Sequence, residues 1–282
     1  MTTALSRTPL HARHVAAGAR LGGFAGWEMP LLYTSPSDEH VAVRTRLGVF
    51  DISHMGQIEV MGPGARDYLQ AALTNDVRAL GPGQGQYTLL CAEDGGVIDD
   101  LIVYALLDRF LLVVNASNTD ACREWLAGRA PDGVEVHDRS REIAMIALQG
   151  REWQAALGPL ARTPAPLGLE YFEITEDEVA GVPAFIARTG YTGEPGVEIM
   201  CPAERAVRVW DALMRGDVAP APCGLVARDT LRTEMGYPLY GQELSRDRTP
   251  IEAGLKWACD LDGGFVGVDA CRRQVAEGMP EK

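Results

Sequence analysis

Apolar positions along this chain fall into short runs with two different periods. Residues 58–61 read as a strand, closed by Gly62-Pro63-Gly64. Ala65, Tyr68, Leu69, Ala72 and Leu73 then recur at helical spacing, which predicts a helix over 65–73 with one buried face. After the glycine-rich loop from Gly81, strands are predicted at 86–91, 95–104 and 109–114, the first two as a hairpin. A helix over 118–126 and a strand over 134–137 complete the order β-α-β-β-β-α-β, a ferredoxin-like unit with one extra strand. The rhythm then recurs without a strict sequence repeat. Strands are predicted at 143–148, 169–175, 184–188 and 197–201, with helices at 151–157, 203–215 and 224–234. Ahead of residue 57, the pattern predicts a helix over 9–19 capped by Thr8 and an apolar-aromatic turn at 24–30. A helix over 37–45 with Asp38 and Glu39 in its first turn follows, then a strand over 48–53. The expected class is α+β with largely antiparallel sheets.

One strand breaks its own pattern. Gly95 and Gly96 make a turn, and the run VIDDLIVY that follows carries two adjacent carboxylates where strands disfavour them. Alternation sends Asp99 and Asp100 to opposite faces. Asp100 is expected to share a face with Ile98, Ile102 and Tyr104, and Asp99 with Val97, Leu101 and Val103. At least one then lies against apolar surface and needs a partner, a ligand or an opening to water. A strand end with both groups solvated or paired is the plainer alternative.

Composition narrows the partners. The 282 residues suit one or two domains, and 46% hydrophobic with 23% charged residues is ordinary for a globular enzyme. A net charge of −13 argues against nucleic acid or an anionic membrane as the main partner. An anionic ligand would need a local arginine, and only Lys256 and Lys282 among the 26 basic residues are lysine. No signal peptide or long apolar run is present, so a cytoplasmic location is expected. Cys91, Cys122, Cys201, Cys223, Cys259 and Cys271 form no CxxC and have no histidine at ligand spacing, so free thiols and no metal are expected.

Four further segments carry candidate chemistry. In Asn115-Ala-Ser-Asn118, Ser117 or Asn118 suits a helix cap, whereas the Asn115 amide suits the edge of a heterocycle. Tyr87 lies on the strand before the aspartates, as a core aromatic or a ring partner. The loop from Thr189 to Glu198 carries Tyr191, Glu194 and Glu198; turn chemistry explains its glycines, and it lacks a phosphate-loop ending. Arg228 and Arg232 stand one helical turn apart, either as a solvated face or as a fork for a carboxylate. Tyr240 and Trp257 lie in aromatic segments beyond them. Nucleophile elbows, HExxH and GxGxxG are missing. The set suits a flat polar ring with an acidic tail.

The strings FAGWEMP, DISHMGQ, LTNDV, GQYTLL, GGVIDDLIVY, LLVVNASN, GYTGE, ARDTLR and YPLYGQEL, in this order over nearly the whole chain, resemble the aminomethyltransferase (T-protein) family of glycine cleavage. The resemblance implies a three-domain cloverleaf with tetrahydrofolate in a central hole. It implies transfer of a one-carbon unit from the aminomethyl-dihydrolipoyl arm of the H-protein to tetrahydrofolate, releasing ammonia. Asp100 would then be the catalytic carboxylate beside the pterin. Tyr87, Asn115 and Tyr191 would frame the ring, Met55 and Trp257 would pack near it, and Tyr104, on the Asp100 face, would be a folate-binding residue. Glu198 would accept from the pterin amino edge, Arg228 would hold the glutamate tail, and Tyr240 is a further folate-binding candidate.

Two departures stand out. Pro195 occupies the family's usual acidic position after GYTGE, and the family continues past residue 282 into a β-barrel domain. The expected organisation is a folate-binding region over 1–270, with one subdomain at 1–54 plus 139–245 and another at 55–138 plus 246–270. Residues 271–282 are expected as a frayed tail or the truncated start of the barrel domain, and folate affinity is expected to be weak without that domain. A folate-dependent demethylase, a folate-binding accessory protein and an inactive fragment remain as alternatives. Pro238, standing where accessory relatives have cysteine before Gly241-Gln242-Glu243, speaks against the second.

Overall fold

The computed structural model describes residues 4–278. The chain forms two compact units: unit 1 is Met1–His54 with Ser140–Tyr237, and unit 2 is Met55–Arg139 with Pro238–Lys282.

Unit 1 begins with β1 (Ser6–Arg7), α1 (His11–Ala16), β2 (Arg20–Phe24) and β3 (Trp27–Leu32). Thr8 does not cap α1 through its side chain, because its hydroxyl donates to Asp51 Oδ2 at 2.6 Å. The expected turn over 24–30 is two residues long: Ala25 and Gly26, at φ 48° and 82°, join β2 to β3 in an antiparallel hairpin. Next comes α2 (Pro36–Thr45), where the Ser35 hydroxyl accepts from Asp38 N and Pro36 opens the first turn. β4 (Gly48–Asp51) then enters the main sheet.

Unit 2 follows the predicted order: β5 (Gly56–Met61), α3 (Ala65–Ala72), β6 (Gln84–Cys91), β7 (Val97–Ala105), β8 (Arg109–Val114), α4 (Thr119–Ala127) and β9 (Glu135–Asp138). The strands lie in the order β6-β7-β8-β5-β9, antiparallel throughout. On one sheet face Ile58, Leu69, Leu90, Val103, Leu112 and Leu126 form a core with α3 and α4. On the other, Leu89, Cys91 and Val97 meet Leu244, Leu255 and Ala258.

Unit 1 resumes with β10 (Ile143–Gln149), α5 (Trp153–Leu157), β11 (Ile174–Val179), β12 (Val182–Ala187), β13 (Gly196–Pro202), α6 (Ala206–Arg215), β14 (Ala221–Pro222) and α7 (Leu225–Glu234). Its six-stranded sheet runs β11-β12-β13-β10-β4-β14. The strand expected at 169–175 lies later, because Phe172 takes φ 66° and the extended run is the acidic segment Ile174–Val179. Its position at the sheet edge tolerates charge, and Thr163 donates two hydrogen bonds to the one buried carboxylate, Asp177. In unit 2, α8 (Val268–Glu277) occupies much of the expected tail and buries Cys271 against Ile251 and Phe265. The remainder of that tail, 279–282, lies outside the described residues.

Candidate functional site

The β6–β7 hairpin of unit 2 is anchored at its tip. Gly95 sits at φ 88°, and a Cβ on Gly96 would stand 2.0 Å from the Arg246 carbonyl oxygen. Val97 N donates to the carbonyls of Ser245 and Arg248. Pairing then slips: Cys91 faces Val97, Leu90 faces Asp99, and Ile98 is the extra residue of a bulge. The bulge corrects the expected alternation. Val97 joins the face of Leu89 and Cys91, and Ile98 joins the core under α3 and α4. From Asp99 onward the alternation holds.

Asp99 is wholly buried among donors. It accepts from Asn115 N and Nδ2, both at 2.9 Å, from Asn118 Nδ2 at 2.6 Å, and from Cys122 Sγ at 3.6 Å. Neither Asn118 nor Ser117 caps α4 with its side chain; Asn118 is turned to the carboxylate instead. Burial pushes the Asp99 carboxyl well up and the neighbouring Asp100 charge adds to it, while the asparagine bonds hold it back. Asp99 thus fixes the start of α4 to the centre of the sheet.

Asp100 lies on the opposite face, half-buried. Tyr87 Oη donates to its Oδ2 at 2.9 Å, and Asn115 Nδ2 to its Oδ1 at 2.8 Å. Burial raises its pKa to about 6 against those two bonds. Asn115 Nδ2 has two hydrogens for three acceptors: Asp99 Oδ1, Asp100 Oδ1 and the Asp100 carbonyl. It therefore links the two aspartates. Trp257 stacks on Tyr87 at 5.3 Å and 26°, and is 66% exposed. Tyr240 packs under the same hairpin, its hydroxyl 3.4 Å from the Val97 carbonyl. Met55 is half-buried, and its carbonyl accepts from Gln57 Nε2. Tyr104 is fully buried with its ring against Gly85, so it stands in the interior of unit 2.

Unit 1 holds the other candidates. Glu198, on β13, is 8% exposed and accepts from Thr189 Oγ1 at 2.7 Å. Burial pushes its carboxyl up, partly offset by the Arg228 charge and the Thr189 bond. The Arg228 guanidinium lies 4.7 Å from the Tyr191 ring centroid, and Tyr191 stacks on Tyr237 at 5.8 Å. No hydrogen bond or ion pair joins the Arg228 guanidinium to a described residue. Of the two readings of Arg228 and Arg232, the shared fork does not form. Arg232 donates to Asp229 at 2.9 Å and to the Tyr237 carbonyl at 3.2 Å, so only Arg228 is left to meet a ligand.

Three residues matter to this arrangement in ways that pattern and spacing did not show. Gln149 is fully buried; it donates to the carbonyls of Thr189 and Val197 and accepts from Thr192 Oγ1, which holds the loop carrying Tyr191. Asn118 acts through Asp99, as above. His54, inside the DISHM string, is buried with Nδ1 unpartnered. A glutamine directly after the apolar run 143–148 was the available signal for the first. Nothing local marks the other two.

Unit 2 therefore presents a half-buried carboxylate beside a phenol and an open indole face. Unit 1 presents a guanidinium and a buried carboxylate beside a phenol. Carboxylates accept from ring N–H groups, aromatic faces cover flat rings, and an unpartnered guanidinium receives a carboxylate or carbonyl. A hollow of about 410 Å³ elsewhere in unit 2 is lined by Asp67, Asp76, Arg78 and Asp260 and touches none of these candidates. Among the described residues no cluster of three His, Cys, Asp or Glu is placed to hold a metal, and no helix is long and apolar enough to cross a membrane.

The family model described as the GCVT N-terminal domain matches residues 10–263. An aminomethyltransferase of Geobacillus sp. (strain WCH70) is 46% identical, covering 99% of this chain and 78% of its own length. One from Streptomyces coelicolor is 49% identical, covering 94% of this chain and 73% of its own. The crystal structure of glycine cleavage system aminomethyltransferase T from Bartonella henselae matches with a TM-score of 0.90 at 38% identity, over 97% of this chain and 76% of that one.

Proposed function

The chain belongs to the aminomethyltransferase family of the glycine cleavage system, and from that premise we propose how its residues carry the reaction. It is an enzyme of tetrahydrofolate-dependent one-carbon transfer. The donor is the aminomethyl group on the dihydrolipoyl arm of H-protein in the cytoplasm, and the products are 5,10-methylenetetrahydrofolate, ammonia and dihydrolipoyl H-protein. The carbon–sulfur and carbon–nitrogen bonds of the donor break, and two bonds to folate nitrogens replace them. When bound, tetrahydrofolate supplies the two nucleophilic nitrogens.

The observation that carries this reading is Asp100. Its carboxyl is poised at about 6, with one oxygen fixed by Tyr87 and the other by Asn115. Such a group accepts a hydrogen bond from a ring nitrogen and takes its proton near neutral pH. The two fixed oxygens orient that acceptor before the ligand arrives. Trp257, stacked on Tyr87, offers an apolar face for the ring. Glu198, its carboxyl raised by burial, suits the amino edge of a pterin, and Arg228 suits the glutamate carboxylate. Met55, Asn115, Tyr191 and Tyr240 complete the proposed contacts. Tyr104, fully buried, is assigned to support of the hairpin instead.

The test is a single assay. Lipoylated H-protein loaded with the aminomethyl arm is mixed with tetrahydrofolate and the chain, and ammonia release is followed. Release that requires all three components is expected. Normal folate binding without release would point to a different one-carbon donor, as in a demethylase.

A further inference from the structure

In Asp51-Ile52-Ser53-His54 two side chains hold the turn that presents the last. The Asp51 carboxylate accepts from Thr8 Oγ1, His14 Nε2 and Ser53 N at 2.6, 2.8 and 2.9 Å. Tyr33 Oη in turn meets His14 Nδ1 at 2.8 Å. Ser53 Oγ donates to the Met145 carbonyl and accepts from Met145 N, which ties the turn to β10. This is a rigid mount in the interior of unit 1.

The mount delivers an imidazole whose Nδ1 has no partner. His54 is 4% exposed, its Nδ1 is sealed from solvent without a partner, and its ring meets Phe24 edge to face at 5.5 Å. Phe24 itself is 38% exposed. A buried polar nitrogen without a hydrogen bond is uncommon, and a phenylalanine or leucine would fill the same space without that penalty. The second unused group nearby is Arg228, whose charge acts on His54 and whose guanidinium has no hydrogen-bond partner among the described residues. A ligand oxygen that met both groups would give each the partner it lacks.

We propose that His54 is a further ligand-contacting residue of unit 1, offering an imidazole nitrogen to the oxygen-bearing group that Arg228 receives. The inference rests on the folate reading above and deepens it. Burial and the Arg228 charge hold the ring neutral, with its pKa near 4, so it keeps one N–H and one lone pair at neutral pH. It therefore acts as a positioning residue and not as an acid or base. A carboxylate or a ring carbonyl would both serve as the oxygen.

The experiment uses the full chain with 15N-labelled histidine, titrated with 5-formyltetrahydrofolate while intrinsic fluorescence reports binding. The His54 imidazole signals, assigned by their loss in His54→Gln, are expected to move along the same saturation curve, with the other four histidines still. Binding with unmoved His54 signals overturns this inference alone. No binding at all overturns the folate reading and this inference together. In turnover, His54→Leu is expected to raise the folate KM about tenfold, the loss of one modest hydrogen bond, with kcat nearly unchanged. His54→Gln, which keeps a donor and an acceptor, should recover part of it; equal KM in all three proteins overturns the proposal. Repeating the titration with 6-methyltetrahydropterin, which lacks both the benzoate and the glutamate, places the oxygen on the ring if it binds and the shift persists, and on the tail if it binds and the shift vanishes.

Discussion

Asp51 and Asp100 are both carboxylates set in apolar surroundings, and their partners send them in opposite directions. Burial pushes each carboxyl up. At Asp51 that push is more than reversed by the bond and charge of His14, with Ser53 and Thr8, and the group lies below the usual carboxylate range. At Asp100 the donors are neutral, Tyr87 and Asn115, and the group stays raised. One aspartate is fully enclosed by its partners, and the other keeps part of its surface open. Saturation with a charge-capable partner makes a scaffold. Neutral partners with one open side make a group that exchanges protons.

The largest expected effect separates these two directly. Asp100→Asn removes the proton acceptor while keeping the shape, so ammonia release should fall about 10²- to 10⁴-fold with the melting transition almost unmoved. A loss under tenfold would break the contrast at its functional end. Asp51→Asn should do the reverse: kcat per folded molecule is retained, and stability to denaturant drops by about 3–5 kcal/mol, as expected when one partner of a buried pair is removed. The sign with pH follows from the lowered carboxyl. Its contribution is present above the unfolded-state pKa and is lost as pH falls through the folded value.

Asp99 stands between the two and sharpens the rule. Its donors are neutral, like those of Asp100, yet it is as enclosed as Asp51. Its raised carboxyl favours folding when protonated, so that stability is present below the unfolded pKa and is lost as pH rises through about 8. Wild-type stability should therefore slope downward from acid to neutral pH, by at most about 1.4 kcal/mol per pH unit, and Asp99→Asn should flatten that slope. An unchanged slope would mean that the asparagines compensate burial fully. Turnover should fall less in this variant than in Asp100→Asn.

Much of unit 2 is legible in the sequence because its signals are local. Gly95-Gly96 marks the hairpin, and a helical stripe marks α3. The bulge at Ile98 is not local: it depends on the carbonyls of Ser245 and Arg248, some 150 residues later, holding Val97 in place. Arg228 and Arg232 look alike on a helix one turn apart, and only the Tyr237 carbonyl and Asp229 decide which is free. β2 was hidden by two glycines, and β11 by three consecutive acidic residues that an edge position tolerates. The unpartnered nitrogen of His54 is likewise a property of the fold and of no motif.

The smallest expected effect tests whether neutral donors really set the Asp100 end of the contrast. The Tyr87 bond is the largest influence opposing burial there, since it favours the charged carboxylate. Tyr87→Phe keeps the stack on Trp257 and removes only the hydroxyl. If the ionised carboxylate is the working form, wild-type turnover rises with pH through about 6. In Tyr87→Phe that limb should move to higher pH, so that rates fall a few-fold, about threefold, near neutrality and converge with wild type well above it. A limb that stays put would show Asn115 alone to be enough to hold the carboxylate. A limb that moves to lower pH would mean the phenol stabilises the protonated form, and the assignment of Asp100 as proton acceptor would have to be reversed.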